Sequence, residues 1–259
     1  MRIAFLVIPA VLAFVPGAPA QVKDADIRMP TDSPTDVQAQ QRLKEGQRLM
    51  SEDAFEEAGK AFKEAIALDP LLFMAHYGVG SAHMAKKEYA AAAAAFEGAR
   101  AAFQERATLN AGRQFKTQSA RESRIRALKD KIRNEPEFSG AAAAQRQMQR
   151  QEMEAEVRSL EAGQEVSGPA SPPPGLFLAL GSAYFRSGRL PDAEREYRAA
   201  IAADPRLGEP RNNLAVILLL TGRPADALTE LKAAEKNGFK PPAGLKADIE
   251  AAIAKVRTP

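Results

Sequence analysis

The chain has 259 residues, 36 Lys and Arg against 33 Asp and Glu, a formal net charge of +3, two histidines, no tryptophan and no cysteine. Without cysteine there is no disulfide framework, no thiol nucleophile and no lipid-modified amino-terminal cysteine, so stability must come from packing alone. With acids and bases nearly balanced, charge carries information only where it is local.

Arg2 precedes an apolar run from Ile3 to Val15, and Ala18-Pro19-Ala20 fits the small-x-small pattern of a secretory cleavage site before Gln21. The expectation is a signal peptide at 1–20 cut after Ala20, and an exported chain, periplasmic or extracellular. An uncleaved anchor is the competing reading. Against it, the run holds 13 residues with Pro9 inside it and Pro16 just beyond, short of the ~20 that a spanning helix needs. No later segment is apolar enough to span a membrane. From Gln21 to Asp36, Pro30, Pro34 and scattered Asp and Thr leave too little apolar side chain to pack, which predicts a disordered lead-in.

Beyond it the chain repeats itself. Gly46, Ala58, Phe62, Ala65 and Pro70 follow one another at spacings of 12, 4, 3 and 5. Gly80, Ala92, Phe96 and Ala99 keep the first three spacings, with Gln104 where the proline would stand. Gly181, Ala193, Tyr197, Ala200 and Pro205 keep all four, and Ala215, Ala227, Leu231 and Ala234 keep three. A small residue in mid-helix lets a partner helix approach, and alanine twelve residues on is the matching small contact. The aromatic or leucine one turn later and the last alanine complete one buried stripe on the second helix. Asp69-Pro70 and Asp204-Pro205 stop that helix, because proline biases its predecessor away from helical geometry. Ser187-Gly188-Arg189-Leu190-Pro191 and Thr221-Gly222-Arg223-Pro224 read as tight turns with proline opening the next helix.

These marks resemble the tetratricopeptide repeat, a helix-turn-helix unit of about 34 residues. The frame lays copies at 39–72, 73–106, 174–207 and 208–241. The predicted fold is all-α, with antiparallel helix-turn-helix repeats in two pairs (37–106 and 174–241) separated by a long helical hairpin insert. Because such repeats need about three or more neighbours for stability, the two pairs are expected to dock on each other.

Between the pairs, residues 106–133 hold nine Lys and Arg against Glu122 and Asp130, a net of +7, while 134–165 hold seven Glu against three Arg, a net of −4. The segments are complementary and are read as the two arms of the insert at 107–162. Ile125, Leu128 and Ile132 keep helical spacing in the first arm, with Phe115 further back. Asn134-Glu135-Pro136 breaks the helix, and Met148, Val157 and Leu160 serve the second arm from Ala141 to about Ala162. The apolar stripe is thin and lacks sustained heptads, so the insert is either a solvated helix pair or an arm for docking and self-association. A basic stripe can also meet an anionic polymer or lipid surface, the least favoured reading; nucleic acid is not an expected partner. A Pro, Gly and Ser-rich linker at 163–173 follows, and after Pro241-Pro242 a capping helix at 242–257 carries Leu245, Ile249, Ile253 and Val256 toward the open end of the array.

Catalytic constellations are absent from the sequence. His76 and His83, the two histidines, stand about 10.5 Å apart along a helix axis, too far to share a metal ion, and are read as structural. Gly-x-Ser-x-Gly, phosphate-loop and His-Glu-x-x-His patterns do not occur. The prediction is a non-enzymatic protein with no cofactor and no metal, whose partners are proteins.

The resemblance implies where such a partner would lie, since in that family the first helices line a concave groove. Carried over, the groove positions are Gln40, Leu43, Gln47 and Met50, then Met74, Tyr77, Ser81 and Met84. The third copy contributes Leu178, Ser182, Phe185 and Arg186, and the fourth Glu209, Asn212, Val216 and Leu219. That lining suits an amphipathic helix or an extended apolar peptide. Members that grip a peptide carboxylate use lysine, asparagine and arginine in a defined set, and no lysine stands at the matching places here. The groove is either open to a partner or filled by the insert or the other pair.

Overall fold

The computed structural model describes residues 34–134, 141–162 and 171–257. The expected signal peptide, its cleavage site and the lead-in as far as residue 33 lie outside the described residues, as do the Glu135-Pro136 break and linker residues 163–170. Ten helices make up the described residues: α1 (Pro34–Ser51), α2 (Phe55–Leu68), α3 (Phe73–Ala85), α4 (Tyr89–Arg133), α5 (Ala141–Glu161), α6 (Pro174–Arg186), α7 (Leu190–Ala203), α8 (Gly208–Leu220), α9 (Pro224–Lys236) and α10 (Leu245–Arg257). Residues up to Gln104 and from Ser171 form one compact unit, and Glu105–Ala170 form a second. The first helix starts at Pro34, so the last three residues assigned to the lead-in are helical, with proline at the position where its missing N–H costs nothing.

In the first unit, α1 packs on α2, α6 on α7 and α8 on α9 as the pairs of the first, third and fourth copies. The sparse signature proves to be the contact that closes each pair. A methyl group added at Gly46 would lie 2.5 Å from the Phe62 ring, one at Gly80 2.5 Å from Phe96, and one at Gly181 2.6 Å from Tyr197. The aromatic side chain therefore lies flat on bare backbone of the facing helix. Phe62 is also pressed from its other side, because a methyl at Gly78 of the next copy would sit 2.6 Å from it. Ala58, Ala65, Ala92, Ala99, Ala193 and Ala200 are all fully buried around these rings. In the fourth copy Ala215 and Leu231, both fully buried, replace glycine and ring.

The turns repeat as faithfully as the helices. One residue in each turn adopts a left-handed backbone: Asp53 (φ 58°), Lys87 (φ 62°), Gly188 (φ 79°) and Gly222 (φ 76°). The next residue donates its N–H back to the carbonyl five residues earlier, Ala54 to Leu49 at 2.9 Å, Glu88 to His83 at 2.9 Å, Arg189 to Tyr184 at 2.9 Å and Arg223 to Leu218 at 2.7 Å. This closure satisfies the last carbonyls of each first helix. At the other end, Asp69 and Asp204 stop α2 and α7 in extended conformation. Their carboxylates accept the N–H of Leu71 and of Arg206, both at 3.0 Å, an aspartate turn that holds the chain for the next copy. The second copy lacks this stop, and α4 runs on for 45 residues through Gln104.

Although 67 residues separate the second copy from the third, the two are packed together. The Tyr184 hydroxyl donates to the Glu97 carboxylate, and Arg100 donates to both oxygens of Glu196 at 3.0 and 3.1 Å. Glu196 is 2% exposed and also receives Arg195 at 3.0 Å, so its charge is compensated where water cannot reach it. Burial and the Glu97 contact together push the Tyr184 phenol up to about 12. At the far end, Leu245 and Ile249 of α10 are buried against α9, covering the apolar end of the stack. The helix begins at Leu245, after Gly244 at φ 94°, three residues later than the prolines suggested.

The second unit joins the basic and acidic segments as their charges predict. Arg124 pairs with Glu156 at 2.8 Å and Lys129 with Glu161 at 2.6 Å. Arg121 donates to the carbonyls of Leu160 and Glu161, capping the last turn of α5 from outside. Leu128 and Val157 are buried, but Phe115 and Met148 are 72% and 64% exposed, which corrects their place in the apolar stripe. At about 100° per residue, Met148 lies about half a turn away from Val157, and Phe115 about 140° from Leu128.

Two substitutions test this account of the fold. Gly181→Ala should lose about 1–3 kcal/mol in denaturant unfolding, because the Tyr197 ring has nowhere to retreat. Lys87→Gly should gain about 0.5–1 kcal/mol, relief of left-handed strain exceeding the extra freedom of glycine in the unfolded chain.

Candidate functional site

The inner faces of α1, α3, α6 and α8 carry the groove positions, and the helix pairing decides which of them remain available. Leu43 does not: it is buried in the core with Ala39, Phe62 and Val79. Gln40 and Gln47 are exposed, and Met50 is half-buried. Met74, Tyr77, Ser81 and Met84 are all half-buried, as are Leu178, Ser182 and Phe185, while Arg186 is exposed. On α8, Glu209, Val216 and Leu219 are half-buried and Asn212 is 1% exposed. The second to fourth copies therefore present a strip of apolar side chain that is half open, with polar groups set into it.

Tyr77 is held by an aromatic cluster, its ring 5.1 Å from Phe96 and 6.1 Å from Phe73, which in turn meets Phe103 edge-on at 5.6 Å. Ser81 is committed locally, donating to the Tyr77 carbonyl at 3.1 Å. The Arg186 guanidinium lies 5.9 Å from the centre of the Tyr89 ring. Ser182 faces the Tyr197 hydroxyl at 3.3 Å, so the ring that closes the third copy also delivers a polar atom to the groove side. Burial drives the Tyr197 phenol well above its ordinary value. Asn212 then donates its side-chain N–H to the Asn213 oxygen at 3.2 Å. Its own side-chain oxygen is buried without a partner.

Glu209 stands one turn before Asn212. Loss of water raises the pKa of its carboxyl above the ordinary carboxylate value, and no cation offsets that loss. Its charge is felt by Tyr77, whose phenol is raised first by burial and then by Glu209, and by Tyr197. Glu209 of the fourth copy is thus within electrostatic reach of Tyr77 in the second and Tyr197 in the third. Sequence reasoning named Glu209, Ser182 and Asn212 by frame position and did not see that Ser182 faces the Tyr197 hydroxyl or that Asn212 is bonded to Asn213. The signal was present in the adjacent asparagines at 212 and 213, where Gly78 holds the place of Asn213 in the second copy.

The two histidines have structural partners. His76 meets the Pro70 carbonyl at 2.9 Å and packs against Gly98, and His83 meets Glu88 at 2.5 Å. Among the described residues, no cluster of three or more His, Asp or Glu has the arrangement to hold a metal ion. Nor is any described helix long and apolar enough to cross a membrane.

Comparison with known proteins agrees with this geometry. The family model described as tetratricopeptide repeat matches residues 43–107 and 178–241, the two stretches that hold the four helix pairs. Among curated proteins there is no significant match. Similar solved structures include a thermophilic tetratricopeptide-repeat protein of Thermus thermophilus, 18% identical over 83% of this chain and 99% of that one with a TM-score of 0.32. YrrB, described as a tetratricopeptide-repeat protein with an unusual peptide-binding site, is 16% identical over 81% of this chain and 90% of its own, with a TM-score of 0.29. PilF of Pseudomonas aeruginosa is 12% identical over 87% and 94%, with a TM-score of 0.33.

The state of Glu209 can be checked by titration of stability. Its folded pKa lies above the unfolded value, so the folded state binds the proton more tightly, and stability falls as pH rises from the unfolded value through the folded one. Thermal melts of wild type and Glu209→Gln should diverge as pH is raised from about 4 to about 7, with the variant the more stable at the upper end. A wild type that is equally or more stable there would show that the carboxylate has a partner.

Proposed function

Since the chain is a tetratricopeptide-repeat protein, we propose that it is a non-enzymatic adaptor of the cell envelope that binds an extended peptide or an amphipathic helix in the groove of α3, α6 and α8. The half-open strip from Met74 and Tyr77 through Phe185 to Val216 and Leu219 supports this reading most directly. Side chains that served only the core would be closed over, as Leu43 is. Apolar contact area with few polar groups gives a peptide affinity through burial and register through hydrogen bonds. Export rests on the amino-terminal pattern of Arg2, the apolar run and Ala18-Pro19-Ala20. The non-enzymatic reading rests on the family, whose members are usually non-catalytic adaptors.

A second reading is favoured by one observation. On the second unit Phe115 and Met148 are exposed, and Leu109 is 49% exposed, so the insert offers apolar side chains to another molecule, a second copy included. In that reading the protein is structural, its insert drives self-association, and the groove is filled internally.

Affinity purification from the envelope fraction tests the adaptor reading. Tyr77→Glu and Phe185→Glu should each lose partners that wild type retains, at unchanged helical content. Light scattering of the full chain against a deletion of Arg106–Pro173 tests the second reading. A monomer in both cases removes it.

A further inference from the structure

The polar spot in the groove has a chemical sense that the apolar strip lacks. Its available atoms are acceptors. The Asn213 side-chain oxygen receives the Asn212 N–H, and the Asn212 oxygen is buried without a donor. One turn away is the Glu209 carboxylate, half-buried and, among the described residues, with no lysine or arginine paired to it. Arg186, the groove cation, is engaged over the Tyr89 ring instead. A buried acceptor without a donor and a desolvated carboxylate without a cation each cost free energy that a suitable ligand would recover.

We propose that Glu209 and the Asn212 side-chain oxygen form a subsite for the lysine or arginine side chain of a bound peptide. The inference rests on the groove being a docking surface and names the chemistry of what docks. A basic side chain is the complementary group: its aliphatic stem lies along apolar walls such as Leu178 and Val216, and its head supplies several donors to two acceptors that have none. Tyr77, inside the reach of the Glu209 charge, adds an aromatic face of the kind cations prefer. A peptide carboxylate or a phosphate is excluded by the same atoms, since it would place an anion beside an uncompensated one. The subsite accordingly selects for a basic residue flanked by apolar ones and against acidic peptides.

Random dodecapeptides displayed on phage and selected on the full chain provide the test, followed by fluorescence anisotropy of the recovered peptides. Groove dependence is established with Val216→Trp and Leu178→Trp, neutral substitutions on two different helices that fill the space, each checked for an unchanged circular dichroism spectrum. Peptides that lose binding to either variant should carry a lysine or arginine. Replacing that residue by glutamine should weaken binding to wild type about tenfold, the size of one charged hydrogen bond, and should make no difference on Glu209→Gln. Groove-dependent peptides with no basic residue overturn the subsite and leave the groove standing. So does a basic residue whose loss costs as much on Glu209→Gln as on wild type. Selection that returns no peptide sensitive to either tryptophan variant overturns the groove reading and the subsite with it.

Discussion

An aromatic ring lying on bare glycine backbone is the contact from which the architecture follows. Phe62 on Gly46, Phe96 on Gly80 and Tyr197 on Gly181 bring two helices closer than any side chain would allow, and each ring, once buried, contributes about 1.5–3 kcal/mol. The buried alanines at twelve and nineteen residues from the glycine flank the ring and leave no room for larger groups. Because Phe62 also touches Gly78 of the following copy, the contact that closes one pair begins the next. At Phe62 pairing and stacking are therefore one interaction seen from two sides.

Interruption of the array makes the molecule unusual within this logic. Loss of the aspartate-proline stop frees α4 to continue, and a second unit grows between two copies that still pack together. Apolar burial alone would leave that joint poorly specified, since many helix faces here are alanine-rich. Glu97 with Tyr184, and Arg100 with Glu196, are groups that lose their partners in any other register. Their contribution is to uniqueness more than to stability, because a buried ion pair roughly offsets its own desolvation. The insert is held differently, by exposed ion pairs such as Arg124 with Glu156 that are individually worth little.

A half-open surface arises where the core logic is incomplete. The second to fourth copies leave methionine, leucine and phenylalanine half-covered on the inner helices. Polar atoms are set among them, with the Tyr197 hydroxyl beside Ser182 and the Asn212 amide bonded to Asn213. Phenylalanine in that place, as at Phe62 and Phe96, would remove the hydroxyl that faces Ser182.

The four pairs, their turns and the run of α4 past Gln104 were legible in the residues, because glycine, alanine, aromatic and proline act on neighbours at fixed separations along a helix. The charge match between the arms of the insert was legible for the same reason, as composition local to two segments. Phe115 and Met148 were misplaced because a thin stripe does not define a helix face, and only the packing of Leu128 and Val157 shows which face is used. Likewise, frame position put Leu43 and Met74 in one class, and only the neighbouring copies decide that the first is covered and the second is half open. What sequence by itself determined is everything set by contacts within one copy, where spacing and geometry are linked by the helix. What only the tertiary structure decided is the joint between Glu97 and Tyr184, the exposure of each groove residue and the environment of Glu209. The joint depends on residues 87 positions apart and the other two on neighbouring copies, and no local period encodes either.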